Sequence, residues 1–305
     1  MFAEMLARQE AIRLNRELEL RMIKRTTQGL FDLMKPHFAG FPDNYLVFDL
    51  ETTGLNPGSD LAVQIGYCLV KGGKPVDQMG VILDWTSMPD KFPHEKLRSK
   101  LAATKQAMEF KDGQPTGKKY HHTFERMRDE GIPPLTALSL VYDLFQEVRK
   151  QKHFFMAHNG YHFDVPFIEG HFNHFLSGKY GGITREPFYF NDNDLFDTGM
   201  VEKGSQSQSV PWASDTVKSW SLRTQHERLR NVKWSLDMAC VPRYKLAEKY
   251  GLDMNAAHDA GFDCYVCHLL FEEYKYLLNN PDIKEPDPLY MTKGVVGPTP
   301  RPPWA

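Results

Sequence analysis

The chain has 305 residues, 41% hydrophobic and 12% aromatic, enough to bury a full-sized core and too apolar for a disordered or fibrous protein. Its formal net charge of −2 lacks the basic excess of dedicated duplex binders, so any nucleic-acid contact is expected at local basic patches, on a short stretch or a chain end. Four cysteines are too few for a disulfide framework. No stretch approaches the roughly 20 apolar residues that span a bilayer, and charges recur from Glu4 to Arg25 where a signal peptide would be apolar; the expectation is a soluble, cytoplasmic protein without membrane contact.

Residues 3–25 read as an amphipathic helix, with Met5, Leu6, Ile12, Leu14, Leu18, Met22 and Ile23 approximating an apolar stripe. It either packs on its own domain or serves as a partner-binding arm. Tyr45-Leu46-Val47-Phe48 is a short apolar strand that delivers Asp49 and Glu51 at its end, and Thr52 to Gly58 is a turn. Leu61–Val70 and Pro75–Trp85 are a second and third strand, making an antiparallel meander. Residues 86–130 break this rhythm. Between Lys91 and Arg128, ten Lys or Arg residues stand against four acids, a basic patch that is either a strand-guiding surface or a solvated face.

Further along, Leu135–Lys150 has helical periodicity and His153–Ala157 reads as a buried strand. Asp164–Leu176 is a helix opened by an acid and Pro166, and Phe188–Asp197 supplies another strand. Residues 199–235 form a long loop, polar at first and then cationic through Lys218, Arg223, Arg228, Arg230 and Lys233. Helices are expected over 236–250 and 257–278. Cys264 and Cys267 form a CxxC inside the second of these, with no partner pair to complete a zinc site, so they read as helix-face cysteines. The stretch from Pro281 is proline-rich and extended. The expected organisation is an N-terminal helical extension (1–39), one domain (40–280) with insertions at about 86–120 and 199–235, and a tail (281–305). Three strands followed by alternating helices and strands predict an α/β fold, a mixed sheet with helices on its faces.

Three segments carry chemistry. Asp49 and Glu51, at i and i+2 on a strand, point to one face, where burying both charges is expensive without cations; hard oxygen ligands of this kind suit Mg²⁺ or Mn²⁺. The stretch from Ala157 to Phe167 runs from a strand through a turn into a helix that Asp164 opens, and read alone this acid serves as a helix cap. His258 and Asp263 are five apart, beyond the spacing of one helix face. They address one site when His258 lies just before a helix and Asp263 in its first turns; His258 read alone is a polar loop residue.

Together these segments resemble the DEDDh (DnaQ-like) 3′→5′ exonuclease superfamily. Phe48-Asp49-Leu50-Glu51-Thr52-Thr53-Gly54-Leu55 looks like its first motif, His158 to Pro166 like its second, and His258 to Asp263 like the HxAxxD third. The HNG-x-x-x-D-x-P form of the second is similar to that of the three-prime repair (TREX-type) exonucleases. The likeness covers about residues 44–278; the two insertions exceed a minimal family core. The resemblance implies a ribonuclease H-like fold and hydrolysis of phosphodiester bonds with two divalent ions, Mg²⁺ or Mn²⁺. It implies that Asp49 bridges the ions, that Glu51 and Asp263 complete the site of the attacking water, that Asp164 helps hold the second ion, and that His258 is the general base. Thr52, Thr53 and Leu55 are the implied floor for the terminal nucleotide. His158 and Asn159 either touch the substrate backbone or only fix their turn. The implied substrate is the 3′ end of DNA, single-stranded or frayed, releasing nucleoside 5′-monophosphates. Trimming of RNA 3′ ends is the alternative, as is an accessory proofreading subunit docked to a replication or repair protein through the N-terminal helix or the C-terminal tail.

Overall fold

The computed structural model describes residues 42–89, 92–116, 120–161, 163–180, 184–191, 195–199, 201–202 and 236–280, together with 291–292 and 295–296. The helix expected over 3–25, the cationic loop through Lys233 and most of the proline-rich tail lie outside these residues. In chain order the main elements are β1 (Tyr45–Thr52), β2 (Ala62–Lys71), β3 (Lys74–Ile82), α1 (His94–Glu109), β4 (Phe110–Lys111), β5 (Gln114–Pro115), α2 (Phe124–Glu130), α3 (Pro134–Lys150), β6 (Phe154–Ala157), α4 (Asp164–Phe175), β7 (Leu195–Asp197), α5 (Leu246–Tyr250) and α6 (Ala260–Asn279). The chain divides into two units, one of Pro42–Thr198 with Gly251–Phe271, the other of Met1–Phe41, Gly199–Tyr250 and Glu272–Ala305.

In the first unit, β1, β2, β3, β6 and β7 form a five-stranded sheet in the order β3-β2-β1-β6-β7, and β4 and β5 pair separately. β1–β2 and β2–β3 pair antiparallel, while β1–β6 and β6–β7 pair parallel. This is the expected α/β, ribonuclease H-like mixed sheet: a three-stranded meander extended by parallel strands and flanked by helices.

The alternation of β1 sets up both layers. Leu46, Phe48 and Leu50 enter the main core, where Phe48 meets Phe145 of α3, Phe155 of β6 and Phe190 at centroid distances of 5.3–6.3 Å. Tyr45 and Val47 are buried on the opposite face. There Tyr45 shares a hydrogen bond of 2.7 Å with His268 Nδ1 and packs edge-on against Phe271, both on α6. Asp49 and Glu51 continue this second face to the strand's end. An apolar strand covered on both sides thus runs out into a pair of carboxylates.

Two expectations change in this unit. The third strand stops at Ile82, because Leu83 leaves it to bridge Ile132 and Trp85 turns into the core, donating from Nε1 to the Ala62 carbonyl at 2.6 Å. Of the strand expected over Phe188–Asp197, the described residues show Leu195–Asp197 and no strand over 188–191. Upstream of it, side chains take the backbone groups that a ladder would use: Asn173 bonds both the N–H and the C=O of Phe188, and Glu169 accepts from the Phe190 N–H. Residues 86–130 contain the 16-residue α1 and the seven-residue α2. Four of their basic side chains are engaged within the chain: Lys100 pairs with Asp60, Arg98 lies over the Phe124 ring, Arg126 pairs with Glu130 and Arg128 with Asp129.

In the second unit, the helix expected over 236–250 is broken. Leu236–Cys240 is a wide helical turn running into Val241–Arg243, and Lys245 at φ +53° ends it before α5. Pro242 lacks the N–H that would continue a ladder. Glu202 is buried there and accepts from Arg243 Nη1 at 2.6 Å, from the Tyr244 hydroxyl at 3.0 Å and from the Tyr274 hydroxyl at 2.5 Å. Among the described residues no helix is long and apolar enough to cross a membrane.

Candidate active site

Asp49 and Glu51 stand at the end of β1, opposite Gly66 and Gln64 of β2. What brings the other residues to them is a set of close approaches. A Cβ on Gly66 would overlap the carbonyl of Ala260, and one on Gly261 would crowd the backbone of Met79 and Gly80. The start of α6 therefore lies directly on β2 and β3, at the level of Asp49. Side chains fix it there. Gln64 donates to Asp259 Oδ2 at 2.8 Å and accepts from the Ala260 N–H at 3.1 Å. Asp259 Oδ1 in turn accepts from the N–H groups of Gly261 and Phe262, satisfying donors that the first turn of a helix leaves free.

His258 lies just before α6 in a left-handed conformation, φ +70°. Its N–H donates to Asp263 Oδ2 at 3.2 Å, so the backbone turns back onto the first turn of its own helix. One ligand atom from each of Glu51, His258 and Asp263 lies within 4.8 Å of the others. The five-residue separation is thus bridged by the left-handed turn and not by a helix face.

Asp164 is the first residue of α4, and Phe163 precedes it without a side-chain cap. The capping role that the sequence alone suggests is not what its carboxylate does. Oδ1 accepts from the Leu50 N–H on β1 at 3.0 Å, placing the acid beside Asp49. The turn that presents it is organised by Asp197, buried at the end of β7, whose two oxygens accept from the N–H groups of Asn159 and Tyr161 at 2.8 and 3.0 Å. Asn159 is left-handed, φ +64°, a conformation Asn tolerates. His158 Nδ1 lies 2.9 Å from the Thr198 hydroxyl, which also donates to the Ala157 carbonyl. Sequence reasoning missed Asp197, Asp259 and Gln64. Only Asp197 carried a local signal, an acid closing an apolar strand as Asp49 does.

The turn after Glu51 divides. Thr53 is fully engaged: its N–H donates to Leu61 O, its carbonyl accepts from Thr104, and its hydroxyl joins the Leu61 N–H to Asp60. The Thr52 hydroxyl donates to Gly54 O at 2.6 Å. Leu55, by contrast, is 85% exposed.

The electrostatics are those of crowded anions. Burial raises Asp49 well above the ordinary carboxylate range, and Asp164 and Asp259 add to it. Glu51 is raised by burial and then by Asp49, Asp263, Asp164 and Asp259. Burial and then Asp197 push Asp164 up to about 8. Among the described residues, the charges that act most strongly on these three groups are other carboxylates. A cluster of hard oxygen donors with one imidazole fits a hard divalent cation. The four cysteines are buried and unbridged, and burial pushes the Cys264 and Cys267 thiols far up, which makes them poor metal ligands.

No protein-family model matches the chain, and no curated protein does. Among solved structures it is similar to the zinc-bound form of the E. coli exonuclease I–single-stranded DNA complex, with 15% identity, 78% of this chain and 42% of that chain covered, and a TM-score of 0.46. It is likewise similar to E. coli exonuclease I in complex with a dA16 oligonucleotide (14% identity, 79% and 43% covered, TM-score 0.46) and to apo exonuclease I (14%, 78% and 44%, TM-score 0.42). The chain spans about two-fifths of the length of these proteins.

Proposed function

We propose that this chain is a metal-dependent 3′→5′ exonuclease of the DEDDh class, with a second motif of the three-prime repair type, acting on single-stranded or frayed DNA ends. The observation that carries the reading is the convergence of Glu51, His258 and Asp263 within 4.8 Å at a strand end that also bears Asp49, with Asp164 bonded to the intervening Leu50 N–H. Three segments far apart in sequence supply one site.

Asp49, Glu51, Asp164 and Asp263 would hold two divalent ions, Mg²⁺ or Mn²⁺. Such ions neutralise the scissile phosphate and acidify the attacking water. His258 would then accept the proton of that water, imidazole being the side chain whose charge in general changes nearest to neutral pH. His258 is held for it through its own backbone, by the bond to Asp263. Leu55 offers an apolar surface for the terminal base, whereas Thr53 acts by shaping the turn. His158 and Asn159 belong to the turn that presents Asp164. The product is a nucleoside 5′-monophosphate.

The test is digestion of 3′- and 5′-labelled DNA and RNA oligonucleotides with Mg²⁺ or Mn²⁺, beside an Asp49→Ala/Glu51→Ala variant. Stepwise loss from the 3′ end is expected with the parent chain and none with the variant. Activity that persists in the variant, or that starts at the 5′ end, sinks the proposal. Faster digestion of RNA than of DNA replaces the DNA substrate by RNA and leaves the chemistry standing.

A further inference from the structure

Two buried polar atoms in the segment leading into α2 have no hydrogen-bond partner among the described residues: the Tyr120 hydroxyl and His122 Nδ1. Tyr120 is 5% exposed and His122 1%. Their rings meet edge-on with centroids 5.5 Å apart, and His122 Nε2 lies 3.4 Å from the carbonyl oxygen of His258. The pair therefore backs onto the loop that brings His258 to Glu51. At its other end the segment is tied down by the Tyr120 N–H, which donates to Glu109 Oε1 at 3.1 Å.

A buried hydroxyl without a partner is uncommon in folded proteins and calls for an explanation. Glu51 supplies one. Its carboxylate lies within 4.8 Å of the His258 side chain, on the residue whose carbonyl the His122 ring faces, and its charge adds to burial in raising the pKa of the Tyr120 phenol. No group among the described residues donates to the Glu51 carboxylate. An unused donor and an unused acceptor thus share one electrostatic neighbourhood. Carboxylates that ligate metals are commonly hydrogen-bonded on the oxygen that does not face the ion, which fixes their orientation.

We propose that Tyr120 is a positioning residue of the metal site, its hydroxyl donating to the Glu51 carboxylate when a divalent cation is bound, with His122 holding the ring and the His258 loop in register. The inference rests on the reading of Glu51 as a metal ligand. It predicts that the hydroxyl contributes to cation binding and not to the stability of the metal-free fold, where it has no partner.

The test is calorimetric titration of the full chain with Mn²⁺ alone, no nucleic acid present, for the parent, Tyr120→Phe and Glu51→Gln, with thermal melts in chelator. Tyr120→Phe is expected to weaken Mn²⁺ binding about tenfold while its metal-free melting temperature is unchanged or higher. Parent-like Mn²⁺ affinity in Tyr120→Phe, with Glu51→Gln weakened, overturns the role of Tyr120 and leaves the metal site intact. Parent-like affinity in Glu51→Gln overturns the metal-site reading and this inference with it. A lowered metal-free melting temperature with unchanged affinity makes Tyr120 structural and also overturns the proposal.

Discussion

His258 combines a demanding backbone with a reactive side chain. A residue with a Cβ held at φ +70° stores strain on the order of 1–3 kcal/mol, and the surrounding structure offsets it through the Asp263 carboxylate on the His258 N–H and the His122 ring at its carbonyl. That arrangement separates two roles one residue could play. Asn tolerates the left-handed conformation but has no basic nitrogen, so His258→Asn keeps the loop and removes the proton acceptor. Turnover on a DNA oligonucleotide is expected to fall by about 10²–10⁴, the usual worth of a general base, while Mn²⁺ still raises the melting temperature as it does in the parent. Unchanged turnover removes the base assignment. Loss of the Mn²⁺ effect as well reassigns His258 as a ligand.

At the scale of elements, the site depends on α6 lying against β2, and Gly66 is what permits it, since a Cβ there would overlap the Ala260 carbonyl. Gly66→Ala is expected to cost about 1–3 kcal/mol in urea unfolding, the range for overpacking, and to weaken Mn²⁺ binding by pushing Asp263 away from Asp49 and Glu51. Gly72→Ala is the control: at φ +57° with nothing nearby, it costs about 1–2 kcal/mol through backbone strain alone and leaves Mn²⁺ binding untouched. Equal metal affinity in the two variants disconnects the helix-on-strand approach from the site. The same elements show what a sequence reveals. The meander, the acids at the end of β1 and the helix opened by Asp164 were legible, because each is a local pattern of apolar period, turn residues and a terminal acid. Gln64 and Asp259 were not, because nothing in the spacing of two residues 195 apart marks them as partners. The short β7 was misjudged for a related reason. Phe188 and Phe190 have the composition of a strand, but their backbone groups are taken by Asn173 and Glu169 on α4, a tertiary competition invisible in a one-dimensional pattern.

For the molecule as a whole, the site makes stability depend jointly on pH and metal. Asp49 and Glu51 are raised and Asp164 is pushed to about 8, so without metal the folded chain binds protons that the unfolded chain has released. The contribution of such groups is complete below their ordinary values near 4 and is lost as pH rises through the folded values. Buried His122 and His171 act in the opposite sense: burial lowers both to about 4, so their contribution grows as pH rises from about 4 to about 6.5 and is constant above that. Between about pH 6.5 and 8 the carboxylates therefore act without this opposition. In chelator, the melting temperature is expected to fall across that window, and Asp164→Asn, which keeps the oxygen that accepts from Leu50 but carries no charge, should flatten the fall and melt higher than the parent at pH 8. Saturating Mn²⁺ replaces the protons and should restore the parent by about 2.7 kcal/mol at a hundredfold excess over its dissociation constant, with much less gain in Asp164→Asn. A melting temperature in chelator that stays level from pH 6.5 to 8, in parent and variant alike, shows that these acids are not the crowded, cation-seeking cluster on which the proposed chemistry depends.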